Sequence, residues 1–432
     1  MTKFLGIRRE DKNKWEARVP IIPQHVAELK KNFNIQTIIQ PSKIRAFKDE
    51  EFTSAGATLK NELKECQIIF AIKEIPIDFF ESNKTYIFFS HTIKGQKFNM
   101  PMLQKMMDLK CNLIDYEKIS DEKGRRLVFF GRYAGLAGMT DTLWSFGKRM
   151  ESKKLDTAFN EIKQTIEYGN LQDIKNHFLE IGKKIKQNGI PDTISPLVIG
   201  ISGYGNVSKG AQEILDVLPV KEITPNELIN DYDNLSNKII YKVIFKEEDM
   251  VKPKSINNKF ELQDYYNHPE KYDSIFHRYV PNLSMLVNCI FWDYRYPRLI
   301  TKNFIKKSYS EDFKLQVIGD ISIDINGAIE FTEKSTTPDC PSFVYNPITG
   351  SVIDGVEGEG IVVMGVDNLP CELPKESSKS FSNTLIKFIP EIVKADFGGD
   401  FSSCNLPKSI KKAVILYHGD LTADYKYLEK YL

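Results

Sequence analysis

The chain has 432 residues, 41% hydrophobic and 27% charged, which suits a globular protein of two or three domains and excludes a disordered or fibrous one. Its 59 Lys and Arg balance 58 Asp and Glu, so no strong field exists to recruit nucleic acid or an anionic membrane. Small-molecule chemistry is the class that remains.

The N-terminal stretch MTKFLGIRREDKNKWEARVP lacks the apolar run of a signal peptide and the acid-free pattern of a transit peptide. It reads instead as the first strand of a domain, and the expected location is the cytosol, with mitochondrial import left open. Runs such as IIFAI and YIFFS fall short of the ~20 apolar residues that a membrane helix needs. The six cysteines are scattered, with no C-x-x-C pair and no His/Cys spacing suited to a metal, so buried thiols and no metal site are expected.

Through the first 130 residues, short apolar runs at 67–73, 86–90 and 112–116 alternate with helix-length stretches, the rhythm of a parallel α/β layer. Between 150 and 189 the spacing changes. Leu155, Phe159, Ile162 and Ile166, then Leu171, Ile174, Phe178, Ile181 and Ile185, predict two amphipathic helices broken at Gly169 and ended near Gly189. A second α/β unit opens at LVIGIS (197–202) and takes in 239–246 and 315–322, while the polar stretch 247–272 reads as a loop or surface insertion. One more apolar run, IVVMGV, and a helix around 377–395 complete the chain.

LVIGISGYGNVSKGAQEIL places a strand, a glycine turn and a helix in the order that brings backbone amides up to a pyrophosphate. Gly203, Tyr204, Gly205, Asn206 and Val207 form the expected cofactor cradle. Ser208 stands where the third glycine of G-x-G-x-x-G is usual, and Gly210 is the nearest residue able to give close helix packing. The acid that bonds the ribose of NAD commonly ends the next strand. Glu222 is the candidate, although it comes earlier than the usual ~20-residue spacing and reads equally as a surface Glu. Asp320, at the end of VIGD, and Asp367, in DNLP, are the remaining candidates on the cofactor side.

EARVP (16–20), IKEIP (72–76), FFSHTIKGQ (88–96), GRRLVFFGRYAGLAGM (124–139), SGYGNVSKGAQEI (202–214) and GVEGEGIVVMGVDNLPCELPKE (355–376) together resemble the lysine-ketoglutarate reductase family, the N-terminal half of aminoadipic semialdehyde synthase. More distantly the chain is similar to lysine-forming saccharopine dehydrogenase and alanine dehydrogenase. The resemblance implies an α/β fold of two Rossmann-like domains with parallel sheets and an active-site cleft between them. It sets a substrate domain at 1–135 plus 365–432 and a dinucleotide-binding domain at 136–364, with a helical lead-in at 150–189. It implies reductive condensation of L-lysine with 2-oxoglutarate to saccharopine, using NADP(H) first and NAD(H) as the alternative, and a separate glutamate-forming saccharopine dehydrogenase as a possible partner. Because the chain stops where the bifunctional enzymes begin a second dehydrogenase, only the condensing step is expected of it.

Imine formation and reduction move several protons near neutral pH, which suits His and a lysine of depressed pKa. Lys73 and His91 each follow an apolar strand, at a sheet's C-terminal edge, and the resemblance carries the family's acid/base pair onto them. A diacid needs planar, permanently charged forks, which Arg18 and Arg126 supply, with Arg125 turned to the opposite side of an extended segment. Glu74 and Glu117 offer counter-charges to the lysine substrate or to Lys73. Rival readings are alanine dehydrogenase, an NAD-dependent lysine-forming saccharopine dehydrogenase, and a non-catalytic nucleotide-binding protein.

Overall fold

Apolar runs of four to six residues, too short for helices and followed by amphipathic stretches, assemble into two parallel-stranded sheets, each in its own unit. The structure, a computed structural model, describes residues 3–310 and 312–432. One unit comprises Met1–Phe130 and Pro374–Leu432, the other Gly131–Leu373. The junctions differ by a few residues from those read in the sequence, because the helix Gly131–Ser152 and the turn Leu369–Glu372 both lie on the second unit's core.

In the first unit, β1 (Lys3–Ile7), β2 (Ile35–Ile39), β3 (Thr58–Leu59), β4 (Ile68–Phe70), β5 (Thr85–Phe88) and β6 (Asn112–Asp115) run parallel in the order β6-β5-β4-β1-β2-β3. The returning chain adds Val414–Tyr417 antiparallel to β6, then Asp420–Leu421 at the edge. All residues of β4, β5 and β6 are buried, as expected of parallel strands covered on both faces. Their C-terminal ends, followed by residues 71–74, 89–91 and 116–117, therefore open at one edge.

The second unit holds β7 (Val198–Ser202), β8 (Val220–Glu222), β9 (Ile240–Phe245), β10 (Val251–Pro253), β11 (Tyr272–Ser274), β12 (Met285–Asn288), β13 (Val317–Asp320), β14 (Ser342–Tyr345), β15 (Val352–Asp354) and β16 (Ile361–Met364). Its main sheet runs β15-β14-β16-β13-β12-β7-β9-β8, with β14 antiparallel to both its neighbours, β15 and β16. After β7 the chain crosses to the edge strand β8, comes back to β9 beside β7, and then moves to β12 on the other side. The ends of β7 and β12 thus mark a topological switch point, where α/β sheets bind ligands.

Two expectations are corrected here. Residues 155–166 do not form a helix but two short 3-10 turns, Ala158–Glu161 and Thr165–Glu167. Their apolar side chains lie on the Gly131–Ser152 helix, where Phe146 and Phe159 meet edge to face at 5.4 Å, and Gly147 lets the Phe159 carbonyl approach so closely that an added Cβ would sit 2.1 Å from it. The helix Leu171–Asn188 does form, capped by the Asn170 side chain on the Asp173 amide and stopped at Gly189 with φ +80°. The 247–272 insertion is not a plain loop: it carries the antiparallel pair β10 and β11 and the helix Leu262–Asn267.

Candidate functional site

Two sets of residues converge, one in each unit. In the first unit they follow the parallel strands. Glu74, just beyond β4, and His91, just beyond β5, meet through a 2.7 Å contact between Oε1 and Nδ1, and Lys12 reaches the other Glu74 oxygen at 2.7 Å. Burial pushes the Glu74 carboxyl up, but His91 and Lys12 outweigh it and hold it down at about 2. His91 adopts a left-handed φ of +49°, and the Asn99 side-chain amide holds its carbonyl.

Lys73 is largely buried beside this pair. Burial first, and then the Arg18 charge, lower its pKa from the ordinary lysine value, against the opposing pull of Glu16 and Glu74. This environment makes the amine easier to deprotonate than an ordinary lysine.

Arg18 is 3% exposed. Its Nε and Nη2 bond Glu16 at 2.7 and 2.6 Å, and its guanidinium lies 4.3 Å over the Phe130 ring, which stacks on Phe381. The fork that the sequence assigns to a substrate carboxylate is thus already gripped by Glu16, which the sequence reading missed. Arg126 lies 5.3 Å over Phe89, donates Nε to the Val128 carbonyl and approaches Glu117 to 3.9 Å. Arg125 turns outward to Asp121.

Two further carboxylates hold this edge. Glu10 accepts the backbone amides of Ile72 and Lys73 at 2.6 and 3.0 Å; burial, with Glu16 adding, pushes its carboxyl up to about 7. Asp115, at the end of β6, accepts the amides of Ser90 and Glu117 and the Ser90 hydroxyl, and burial raises its pKa. Each fixes the backbone next to a candidate residue. The only sequence signal for them is position, an acid at the end of an apolar strand or within three residues of it.

In the second unit the glycine turn follows β7. Gly203 has φ +88°, a conformation that L side chains rarely adopt, and a Cβ on Gly205 would meet no other protein atom within 4 Å. The turn therefore leaves open the space in front of the Asn206–Leu215 helix start where a pyrophosphate would lie. Close packing, the usual task of the third glycine, passes to Gly210. A Cβ there would lie 2.0 Å from the Arg132 carbonyl, and one on Gly135 of the facing helix 1.9 Å from the Val207 carbonyl.

A cavity of about 270 Å³ adjoins the turn, lined by residues that follow β7, β9 and β12, among them Tyr204, Glu247 and Cys289, and by Tyr266 of the helix Leu262–Asn267. Tyr266 donates to Glu247 at 2.7 Å, and Tyr204 lines the same cavity.

Glu222 is not part of this cavity. The strand that follows β7 in the chain is the edge strand β8, whereas β9 adjoins β7 in the sheet. Glu222 is exposed and lies 3.4 Å from Lys242. Nor does Asp320 present itself to a cofactor: it is 1% exposed and accepts from Asn288, Thr332 and the Ile323 amide. Asn288 in turn takes the Ser202 hydroxyl, so this buried chain locks the ends of β7, β12 and β13 together. Asp367 is exposed on the loop after β16. Among the described residues, no cluster of His, Cys, Asp and Glu is placed to hold a metal, and no helix is long and apolar enough to cross a membrane.

The family described as alanine dehydrogenase/PNT matches twice, its N-terminal domain over residues 6–137 and its C-terminal domain over 270–424. Alpha-aminoadipic semialdehyde synthase of Arabidopsis thaliana is 36% identical over 443 residues, covering 99% of this chain but 41% of its own length. The chain thus spans less than half of that relative. The NAD(+), L-lysine-forming saccharopine dehydrogenase of Emericella nidulans is 25% identical over 81% of this chain and 82% of its own. A solved L-alanine dehydrogenase superposes with a TM-score of 0.62 at 14% identity, covering 99% of this chain and 98% of that one, which establishes a shared two-unit Rossmann-like fold.

Proposed function

The chain belongs to the alanine dehydrogenase/PNT family, and on that footing we propose that it is an oxidoreductase acting on a CH–NH bond, joining L-lysine to 2-oxoglutarate as saccharopine. The observation that carries this reading is the grouping of Lys73, Glu74 and His91 at one sheet edge, in a chain that aligns over almost its whole length with a semialdehyde synthase.

The lysine ε-amine must lose a proton before it attacks the ketone carbon, and the carbinolamine must gain one to expel water as the imine forms. Lys73, with its lowered pKa, accepts the first proton, and His91, held by Glu74, relays protons to and from the leaving oxygen. Arg126 over Phe89 receives a substrate carboxylate. Arg18 contributes positive charge to the wall beside Lys73, partly offset by the Glu16 it is paired with. When bound at the glycine turn, the reduced nicotinamide supplies the hydride for the imine carbon.

The resemblance by itself assigns NADPH; the Glu247 carboxylate beside the turn argues for NADH and favours, as a second reading, the lysine-forming NAD-dependent reaction on the same substrates. In either direction the same bond is made or broken by the same residues.

Product analysis tests the proposal. Purified protein incubated with isotopically labelled lysine, 2-oxoglutarate and reduced cofactor should yield saccharopine carrying the lysine label. Cofactor oxidation with the labelled lysine recovered unchanged, or no product from folded protein, would reject it.

A further inference from the structure

Glu247 is the one charged side chain among the described residues lining the cavity beside the glycine turn; the others are glycine, tyrosine, methionine, cysteine, isoleucine and phenylalanine. It follows β9, the strand adjoining β7, so it flanks the turn from the side on which a dinucleotide's adenosine half extends from the pyrophosphate.

The carboxylate accepts from the Tyr266 hydroxyl at 2.7 Å, and Tyr204 lines the same cavity. Of the basic groups nearby, Lys246 precedes Glu247 at the end of β9, exposed and outside the residues that line the cavity. The Arg278 guanidinium lies 4.7 Å over the Tyr279 ring and bonds its hydroxyl, while the first turn after β9 is acidic at Glu247, Glu248 and Asp249. Tyr265 and Tyr296, which meet edge to face at 5.4 Å, extend the cavity wall with apolar surface suited to a purine.

A carboxylate here accepts hydrogen bonds from a ribose diol but faces a 2'-phosphate as one anion against another, in a partly desolvated pocket where like charges are most costly.

We infer that Glu247 is the residue that determines cofactor preference and that it selects the unphosphorylated dinucleotide, NADH over NADPH. This rests on the reading that the glycine turn holds a nicotinamide dinucleotide. Part of the 247–272 segment, read from sequence as a surface insertion, is on this view the specificity wall of the cofactor site.

Equilibrium titration of the purified chain with NADH and, separately, NADPH, followed by the dinucleotide's own fluorescence and without substrates, tests it. NADH should bind roughly tenfold or more tightly. In Glu247→Gln the ratio should close toward one, while Glu222→Gln should leave it unchanged. Equal or tighter binding of NADPH by the unaltered chain would overturn the inference, as would a ratio that Glu247→Gln does not move. Binding of neither dinucleotide would bring down the oxidoreductase reading itself, and the inference with it.

Discussion

Glu74 and His91, 17 positions apart in the chain, meet at 2.7 Å because they follow neighbouring parallel strands, β4 and β5. The same contact that orients the imidazole ties it to Lys12 through the second oxygen of Glu74. Glu74→Gln keeps the shape but removes the charge that Lys12 and His91 face. Turnover should fall roughly tenfold or more, in the range of a lost orienting partner, with little change in thermal midpoint. Full turnover in folded Glu74→Gln would remove Glu74 from the mechanism.

Lys73 should govern the pH dependence. Burial and then Arg18 lower its pKa from 10.5, so the neutral amine is populated below the usual lysine range. If it acts as a base, kcat/KM should rise with pH through an ionisation lying below 10.5. Arg18→Gln removes the cation that lowers it and leaves Glu16 to raise it, so this limb should move to higher pH. Lys73→Met should cost roughly 10²-fold or more in turnover. A pH profile identical in Arg18→Gln would show that Lys73 does not titrate in the reaction.

Arg18 also has a structural share, since it and Glu16 are side chains 2% and 0% exposed. Removing one partner of such a pair leaves an uncompensated buried charge, costing about 3 kcal/mol or more. Arg18→Ala should therefore lower the denaturant midpoint markedly, and Glu16→Gln introduced beside it should restore part of the loss. A single variant as stable as the unaltered protein would contradict the buried pairing.

Glu10 gives a stability effect of definite sign. Its carboxyl rises from 4.5 to about 7 in the folded chain, so the folded state holds the proton more tightly than the unfolded one. The stabilisation is complete below the unfolded value and is lost as pH rises through the folded one, a change of roughly 3 kcal/mol between about pH 4.5 and 7. Urea unfolding at a series of pH values should show this slope in the unaltered protein and lose it in Glu10→Gln. Equal slopes in both would refute it.

The glycines separate cofactor binding from packing. Gly205→Ala meets open space and should leave the unfolding midpoint unchanged while weakening dinucleotide binding. Gly210→Ala drives a Cβ to 2.0 Å from the Arg132 carbonyl and should destabilise by about 1–3 kcal/mol through overpacking. The opposite assignment of the two effects would place the cofactor elsewhere.

Much of the fold and of the candidate site is legible in the sequence because apolar runs such as QIIFAIK and LVIGIS are buried on both faces, and the residues directly after them lie at a sheet edge. Lys73, Glu74, His91 and the glycine turn stand out in that way. The Gly131–Ser152 helix does not, because it is buried on nearly every side and lacks the polar face that makes a helical period visible. Glu222 stands out in the sequence and Glu247 does not for a topological reason: the chain visits the edge strand β8 before β9, and sequence order does not reveal sheet order. Asp320 misleads because a strand-end acid can point inward to Asn288 and Thr332 as readily as outward.

The most direct test of the central claim is absorbance at 340 nm with purified protein, reduced cofactor, lysine and 2-oxoglutarate, omitting each substrate in turn. Cofactor oxidation that requires both lysine and 2-oxoglutarate is the result expected; oxidation that proceeds without lysine, or none from folded protein with either NADH or NADPH, would contradict it.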